Sequence, residues 1–251
     1  MSDQVIIITG GARGIGYGIA ECFAERGAHL VIADTDLEAA QNAASQLNEN
    51  SIGVLCDITQ REQVRAMVAQ TLETFGRINV LVNNAGICPF VDVMEISDET
   101  WRRTLDVDLN GAFICTQEVA RHMIERNQNG DGGGRIIFIT SQAENFVGAN
   151  QVDYGAAKAG LRMTMRGFAV ALGPHNITCN AVAPGHVLTE MTKHHWSQPG
   201  PAEYIKSRVP VGRMGTPRDI GEAVAFLASP AASCISGVSL HVDGGFQTLC
   251  P

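Results

Sequence analysis

The chain has 251 residues, 45% hydrophobic and 18% charged, enough for one α/β domain with a full core. Eighteen Lys and Arg against 26 Asp and Glu give a net charge of −8, which argues against general affinity for phosphate backbones or anionic membranes. Seven scattered cysteines without a C-x-x-C pair argue against a disulfide framework, and the seven histidines show no H-E-x-x-H spacing, so no metal site is expected.

In chain order, the first apolar run, 5–8, has no basic region before it and leads directly into Thr9-Gly-Gly-Ala-Arg-Gly-Ile-Gly16. It reads as a buried strand rather than a signal peptide, and a cytoplasmic protein with reduced thiols is expected. In the loop that follows, Gly10 makes the sharp turn and Gly14 allows backbone to approach a pyrophosphate. Arg13 and Ile15 flank that contact, and Gly16 lets the next helix, 15–26, pack close to the sheet with its free N–H groups aimed at the anion. A second strand, 29–33, delivers Asp34, eighteen residues past Gly16. A carboxylate at this strand end accepts hydrogen bonds from a ribose diol and repels a 2′-phosphate, so NAD is the expected cofactor. A helix-capping role for Asp34 is the weaker reading, because Asp36 can cap the helix at 37–47.

Strand-like runs continue at 52–55, 78–82, 135–140, 177–182 and 238–242, alternating with helical periodicity at 61–75, 98–127, 153–172 and 217–228. This alternation predicts βαβ units in a single Rossmann-type domain over 1–251, with a doubly wound parallel sheet of about seven strands. The segment 190–212 breaks the rhythm with three prolines, two histidines and a tryptophan, and reads as a substrate lid.

Tyr154 and Lys158 stand four residues apart in Asp153-Tyr-Gly-Ala-Ala-Lys, one turn apart on one helical face. An unperturbed phenol titrates near ~10, and a Lys⁺ beside it favours the charged form. Ser141 lies thirteen residues upstream of the tyrosine. Such a pair alone is weak, but with the glycine motif and the serine it points to proton transfer coupled to a dinucleotide.

With these motifs go Asp57-Ile58, Asn83-Asn-Ala-Gly86, Pro184-Gly185-x-x-x-Thr189 and Val242-Asp-Gly-Gly245. Together they resemble the short-chain dehydrogenase/reductase family over essentially the whole chain. The resemblance implies hydride transfer between NAD and a secondary alcohol or carbonyl, with Ser141, Tyr154 and Lys158 catalytic. It implies that Asp57 and Ile58 flank the adenine, and that Asn84, Ala85 and Gly86 line the ribose side. Pro184 and Gly185 lead to Val187 and Thr189 at the nicotinamide carboxamide, and Lys158 also binds the nicotinamide ribose. A homotetramer is implied as well.

Two positions depart from the family pattern. Arg13 occupies a place where NADP-using relatives often put a basic residue, but Asp34 outweighs it by like-charge repulsion of the phosphate. Asp108 stands where the family usually has an asparagine that supports a proton relay. Glu144, three residues past Ser141, is similar to a glutamate of bacterial glucose dehydrogenases in this family. It is expected to be a loop carboxylate that accepts substrate hydroxyls, with Gln151 and His186 as further polar contacts. A sugar or polyol is therefore the favoured substrate. The alternatives are an acyl-thioester or steroid-like ketoreductase, for which NADPH would be expected, and a non-catalytic nucleotide-binding protein.

Overall fold

The computed structural model describes residues 3–130, 132–189 and 201–249, without the side chains of 201, 202, 204, 205 and 249. Seven parallel strands form one sheet: β1 (Val5–Thr9), β2 (His29–Asp34), β3 (Ser51–Leu55), β4 (Val80–Asn83), β5 (Gly134–Ile139), β6 (Ile177–Pro184) and β7 (Ser239–Val242). Their order is β3-β2-β1-β4-β5-β6-β7, so the chain crosses from β3 back to β4 beside β1. The switch point opens a crevice at the carboxyl ends of β1 and β4, where sheets of this kind bind ligands.

Both faces of the sheet are buried, which explains why its strands read as continuous apolar runs. Ile6 and Ile8 of β1 pack with Ile19 and Phe23 of α1 (Gly14–Ala24) and Val224 of α8 (Pro217–Ala228). Ile7, between them in sequence, faces the opposite layer with Met67 of α3 (Arg61–Phe75), Val119 of α5 (Ala112–Gln128) and Met165 of α6 (Val152–Leu172). The period of two along a strand thus divides one isoleucine run between two cores. Helix α2 (Leu37–Leu47) starts at Asp36, whose Oδ1 accepts from Ala39 N at 3.0 Å.

The expected continuous helix at 98–127 is instead three pieces: α4 (Asp98–Leu105), a π-helical segment Asp106–Gly111, and α5. The interruption lies where two tertiary contacts meet the helix. Asp108 turns inward, where its Oδ1 accepts from Ile87 N at 2.8 Å, and Gly111 sits so close to Ile58 that a Cβ there would lie 2.6 Å from its side chain. Single π turns of this kind concentrate at functional sites.

Of the segment 190–212 read as a lid, 190–200 lies outside the described residues. The remainder holds α7 (Pro201–Arg208) and a turn in which Val211 N donates to Gly244 O at 3.2 Å. Val209 packs with Met214 and Phe246 in a small apolar cluster of its own. No helix among the described residues is long and apolar enough to cross a membrane.

Candidate active site

The carboxyl ends of β1, β2, β4, β5 and β6 surround a cavity of about 1220 Å³. At one end lies the glycine loop. Gly10 has φ +61° and Gly14 φ +59°, left-handed values that suit glycine. A Cβ on Gly16 would lie 2.2 Å from Gly10 O, so only glycine allows α1 to start this close to the strand end. Asn84, after β4, ties the loop down by donating through Nδ2 to Thr9 O and Gly10 O, each at 2.9 Å. Thr9 reciprocates, its Oγ1 accepting from Asn84 N at 3.0 Å and Ala85 N at 3.2 Å. The sequence did not single out Thr9, whose role depends on β4 lying beside β1.

Asp34 closes this end at the tip of β2. It is 7% exposed, and its carboxylate oxygens accept from Ala12 N at 3.4 Å and Asp36 N at 3.3 Å. Asp34 lines the cavity together with Arg13, Gly14, Ile15, Asp57 and Ile58. One oxygen of Asp57 is committed to its own turn, accepting from Thr59 N at 2.9 Å and Thr59 Oγ1 at 2.7 Å. A loop of glycine backbone leading to a fixed carboxylate fits a dinucleotide: amides for a pyrophosphate, then an acceptor for a ribose diol. At the other end Pro184, Gly185, Val187 and Thr189 line the cavity beyond β6. Gly185 packs on the turn after β7, where a Cβ would lie 2.6 Å from Asp243 Cβ.

The middle of the cavity brings Ser141, Tyr154, Lys158 and Asp108 together. Ser141 follows β5; its Oγ accepts from Ala143 N at 3.1 Å, and its hydroxyl acts to lower the Tyr154 phenol. Lys158 Nζ lies 5.3 Å from the centroid of the Tyr154 ring. It donates to Ile139 O at 3.2 Å and pairs with Asp108 Oδ2 at 3.0 Å. Burial pulls the lysine down, yet Asp108 and Tyr154 leave it net above its ordinary value. Burial raises the Tyr154 phenol, Lys158 lowers it and Asp108 raises it again. The net direction is upward, against the expectation that Lys158 depresses it. Burial is the largest cause, and the lysine charge is shared with the Asp108 carboxylate.

The substrate side differs from expectation at one residue. Gln151 and His186 line the cavity, joined by Gln142, Asn150, Cys88 and Phe90. Gln142 Nε2 lies 3.2 Å from His186 Nε2, and Gln151 Nε2 lies 3.3 Å from Cys88 Sγ. Glu144 is absent from this wall and is not a loop carboxylate. Its side chain is 0% exposed, accepts from Ser239 Oγ at 2.8 Å, and lies 3.1 Å from His241 Nε2 and 3.6 Å from Arg162 NH1. The short 3₁₀ turn Gln142–Glu144 sets the two residues apart: Gln142 lines the cavity while Glu144 meets the edge strand β7. The likeness in sequence position does not carry the substrate contact with it. Glu99, Arg102 and Arg103 of α4 also border the cavity. Nothing in the sequence distinguished them from a solvated helix face.

Comparison with known proteins agrees with this geometry. A family model described as enoyl-(acyl carrier protein) reductase matches residues 10–247. An L-rhamnose 1-dehydrogenase (NAD(P)⁺) of Azotobacter vinelandii is 39% identical over 97% of this chain and 96% of that protein. An NAD-dependent glycerol dehydrogenase of Listeria innocua is 35% identical over 98% of this chain and 94% of the other. Among solved structures, a 3-ketoacyl-(acyl-carrier-protein) reductase from Brucella melitensis complexed with NADH superposes with a TM-score of 0.91 at 31% identity, covering 98% of each chain. With the seven-stranded parallel sheet, the glycine loop and the Ser-Tyr-Lys cluster, these likenesses establish that the chain belongs to the short-chain dehydrogenase/reductase family and is an NAD(P)-dependent oxidoreductase acting on CH–OH groups.

Proposed function

We propose that this protein is an NAD-dependent dehydrogenase of a sugar or polyol, with Ser141, Tyr154 and Lys158 as its catalytic residues. The observation that carries the reading is the placement of Tyr154 with Ser141 and Lys158 in one cavity whose far end holds the fixed Asp34 carboxylate. Val187 and Thr189 line the part of the cavity that would hold a nicotinamide, which would supply a two-electron hydride acceptor. In oxidation, Tyr154 as phenolate takes the substrate hydroxyl proton while the carbinol carbon gives up its hydride. Ser141 donates to the same oxygen and orients it, and Lys158 stabilises the phenolate. In reduction the phenol returns the proton.

Asp34 supports NAD over NADP, since a 2′-phosphate beside it suffers like-charge repulsion; Arg13 opposes that preference at longer reach. Gln142, Asn150, Gln151 and His186 form a polar substrate wall, which suits a polyhydroxylated substrate better than an acyl chain. The names of the rhamnose and glycerol dehydrogenases support the same class. A cytoplasmic homotetramer completes the reading. The acyl-thioester alternative has the Brucella likeness behind it.

The test is a panel of L-rhamnose, other aldoses, glycerol, longer polyols and a β-hydroxyacyl thioester, each with NAD⁺ and NADP⁺, followed by nicotinamide absorbance. Turnover of a sugar or polyol with NAD⁺ is expected. Turnover of the thioester alone would replace this reading with the ketoreductase.

A further inference from the structure

We infer that Asp108 is a positioning residue that sets the working pH of the site: it holds Lys158 in a buried ion pair and so withholds from Tyr154 the positive charge a phenolate needs. Proton donation to a carbonyl then runs at neutral pH, and proton removal from an alcohol requires alkaline solution. The inference rests on the proton-transfer role given to Tyr154 above, and not on the identity of the substrate.

The geometry is asymmetric. Asp108 Oδ2 is 3.0 Å from Lys158 Nζ, and the two side chains are 0% and 4% exposed. The Tyr154 ring centroid is 5.3 Å from the same nitrogen. Coulomb attraction grows as distance falls and as water is excluded, so a carboxylate 3.0 Å from the ammonium in a buried pair competes with a phenolate for the same cation. One lysine serves two acids, and the pair titrates as a coupled set. With Asp108 ionised, forming phenolate would put two negative charges around one positive charge. With an amide in its place, phenolate and ammonium would neutralise each other.

The other groups facing this pair leave the balance intact. From α6 comes Asp153, buried, with Oδ2 accepting from Thr104 Oγ1 of α4 at 2.8 Å. From the loop after β4 come the Ile87 N–H on Asp108 Oδ1 and the Cys88 thiol, which burial pushes up. Gly86 packs so closely that a Cβ would lie 2.8 Å from Asp108 Oδ2 and 3.2 Å from Lys158 Nζ. From β5 comes the Ile139 carbonyl, and beyond it the Ser141 hydroxyl. Asp106, in the same π segment, is exposed at the border of the cavity and accepts from Asn110 Nδ2 at 2.8 Å. Lys158 is the one cation in this set.

Asp108→Asn separates charge from shape, because the amide oxygen can still accept from Ile87 N. The protein without cofactor is titrated with alkali and tyrosinate followed by its ultraviolet absorbance, with Tyr154→Phe identifying the contribution of that phenol among three tyrosines. In the native protein the Tyr154 phenol is expected to titrate above the ordinary tyrosine range, and in Asp108→Asn its titration should move down clearly. The rising limb of kcat/KM for L-rhamnose with NAD⁺ should move down by the same amount. Asp108→Ala should shift the phenol in the same direction while also losing the Ile87 contact and thermal stability. A Tyr154 titration unchanged by Asp108→Asn overturns the inference, as does a native Tyr154 that ionises near neutral pH. Failure of the sugar panel would leave the titration standing, so the two readings fail separately.

Discussion

Two carboxylates that follow strands of the same sheet, Asp34 at the end of β2 and Glu144 in the turn after β5, were each expected to bind a ligand, and the fold treats them oppositely. Asp34 ends β2 and its oxygens are held by backbone amides at the cavity mouth. Glu144 follows β5 and is buried against Arg162, Ser239 and His241 outside the cavity. Backbone geometry a few residues away fixes the first, whereas partners distant in sequence recruit the second. A carboxylate is therefore safely assigned from sequence when the elements next to it determine where it points.

Experiments can press on this contrast. The largest effect should come from the centre of the cavity, where both halves meet. Tyr154→Phe should lower kcat by roughly 10³-fold, the order expected for losing a general acid/base, while calorimetry still detects NAD binding. Activity within tenfold of the native enzyme would detach the chemistry from this phenol.

Glu144→Ala is the sharpest test of the contrast itself. A substrate contact would raise KM by orders of magnitude and leave stability alone. The structure calls for the reverse. Removing the buried carboxylate takes a partner from Ser239, Arg162 and His241, the last two 28% and 32% exposed and still in contact with Asn145, so a loss of roughly 2 kcal/mol is expected. That corresponds to a fall in Tm of about 4–8 °C in a thermal melt. KM for the best sugar should change little, and a large KM effect without a Tm shift would restore the substrate role.

Asp34→Ala probes the other carboxylate. It should narrow the preference for NAD⁺ over NADP⁺ by about tenfold, equivalent to ~1.4 kcal/mol, as repulsion is lifted and Arg13 remains. A native enzyme already faster with NADP⁺ would show that Arg13 dominates.

The smallest effect belongs to a third carboxylate, whose role is purely local. Asp219 completes a capping box at the start of α8, accepting from Thr216 N at 2.8 Å and from both Arg213 guanidinium nitrogens at 2.7 and 2.8 Å. Hydrogen bonds from Arg213 hold its carboxyl below the usual range. A depressed folded pKa contributes stability above the unfolded value near ~3.9 and loses it as pH falls toward the folded one. Asp219→Asn should therefore cost about 1 kcal/mol at neutral pH, with the difference from native closing in acid melts. An equal difference at all pH values would exclude the charge as its source.

The strands and most helices were legible because each carries its own period. Both faces of the sheet are buried, so the strands are apolar throughout, and α1 and α6 keep their glycine and Tyr-Lys motifs within one or two turns. The split of 98–127 was not legible. The residues there remain good helix formers, and the π segment lies where Asp108 accepts from the Ile87 amide 21 residues away.

Sequence alone thus determined the alternation that builds the sheet, the left-handed glycines of the first turn, and the placement of Tyr154 and Lys158 one helical turn apart. These depend on backbone sterics and on neighbours within a few residues. Only the tertiary structure decided that Glu144 serves β7 and that Asp108 takes the charge of Lys158. Ser239 and His241 lie 95 and 97 residues from Glu144. The direction of a polar side chain in a buried turn is set by whichever partner removes the cost of its desolvation, and chain folding alone brings that partner near.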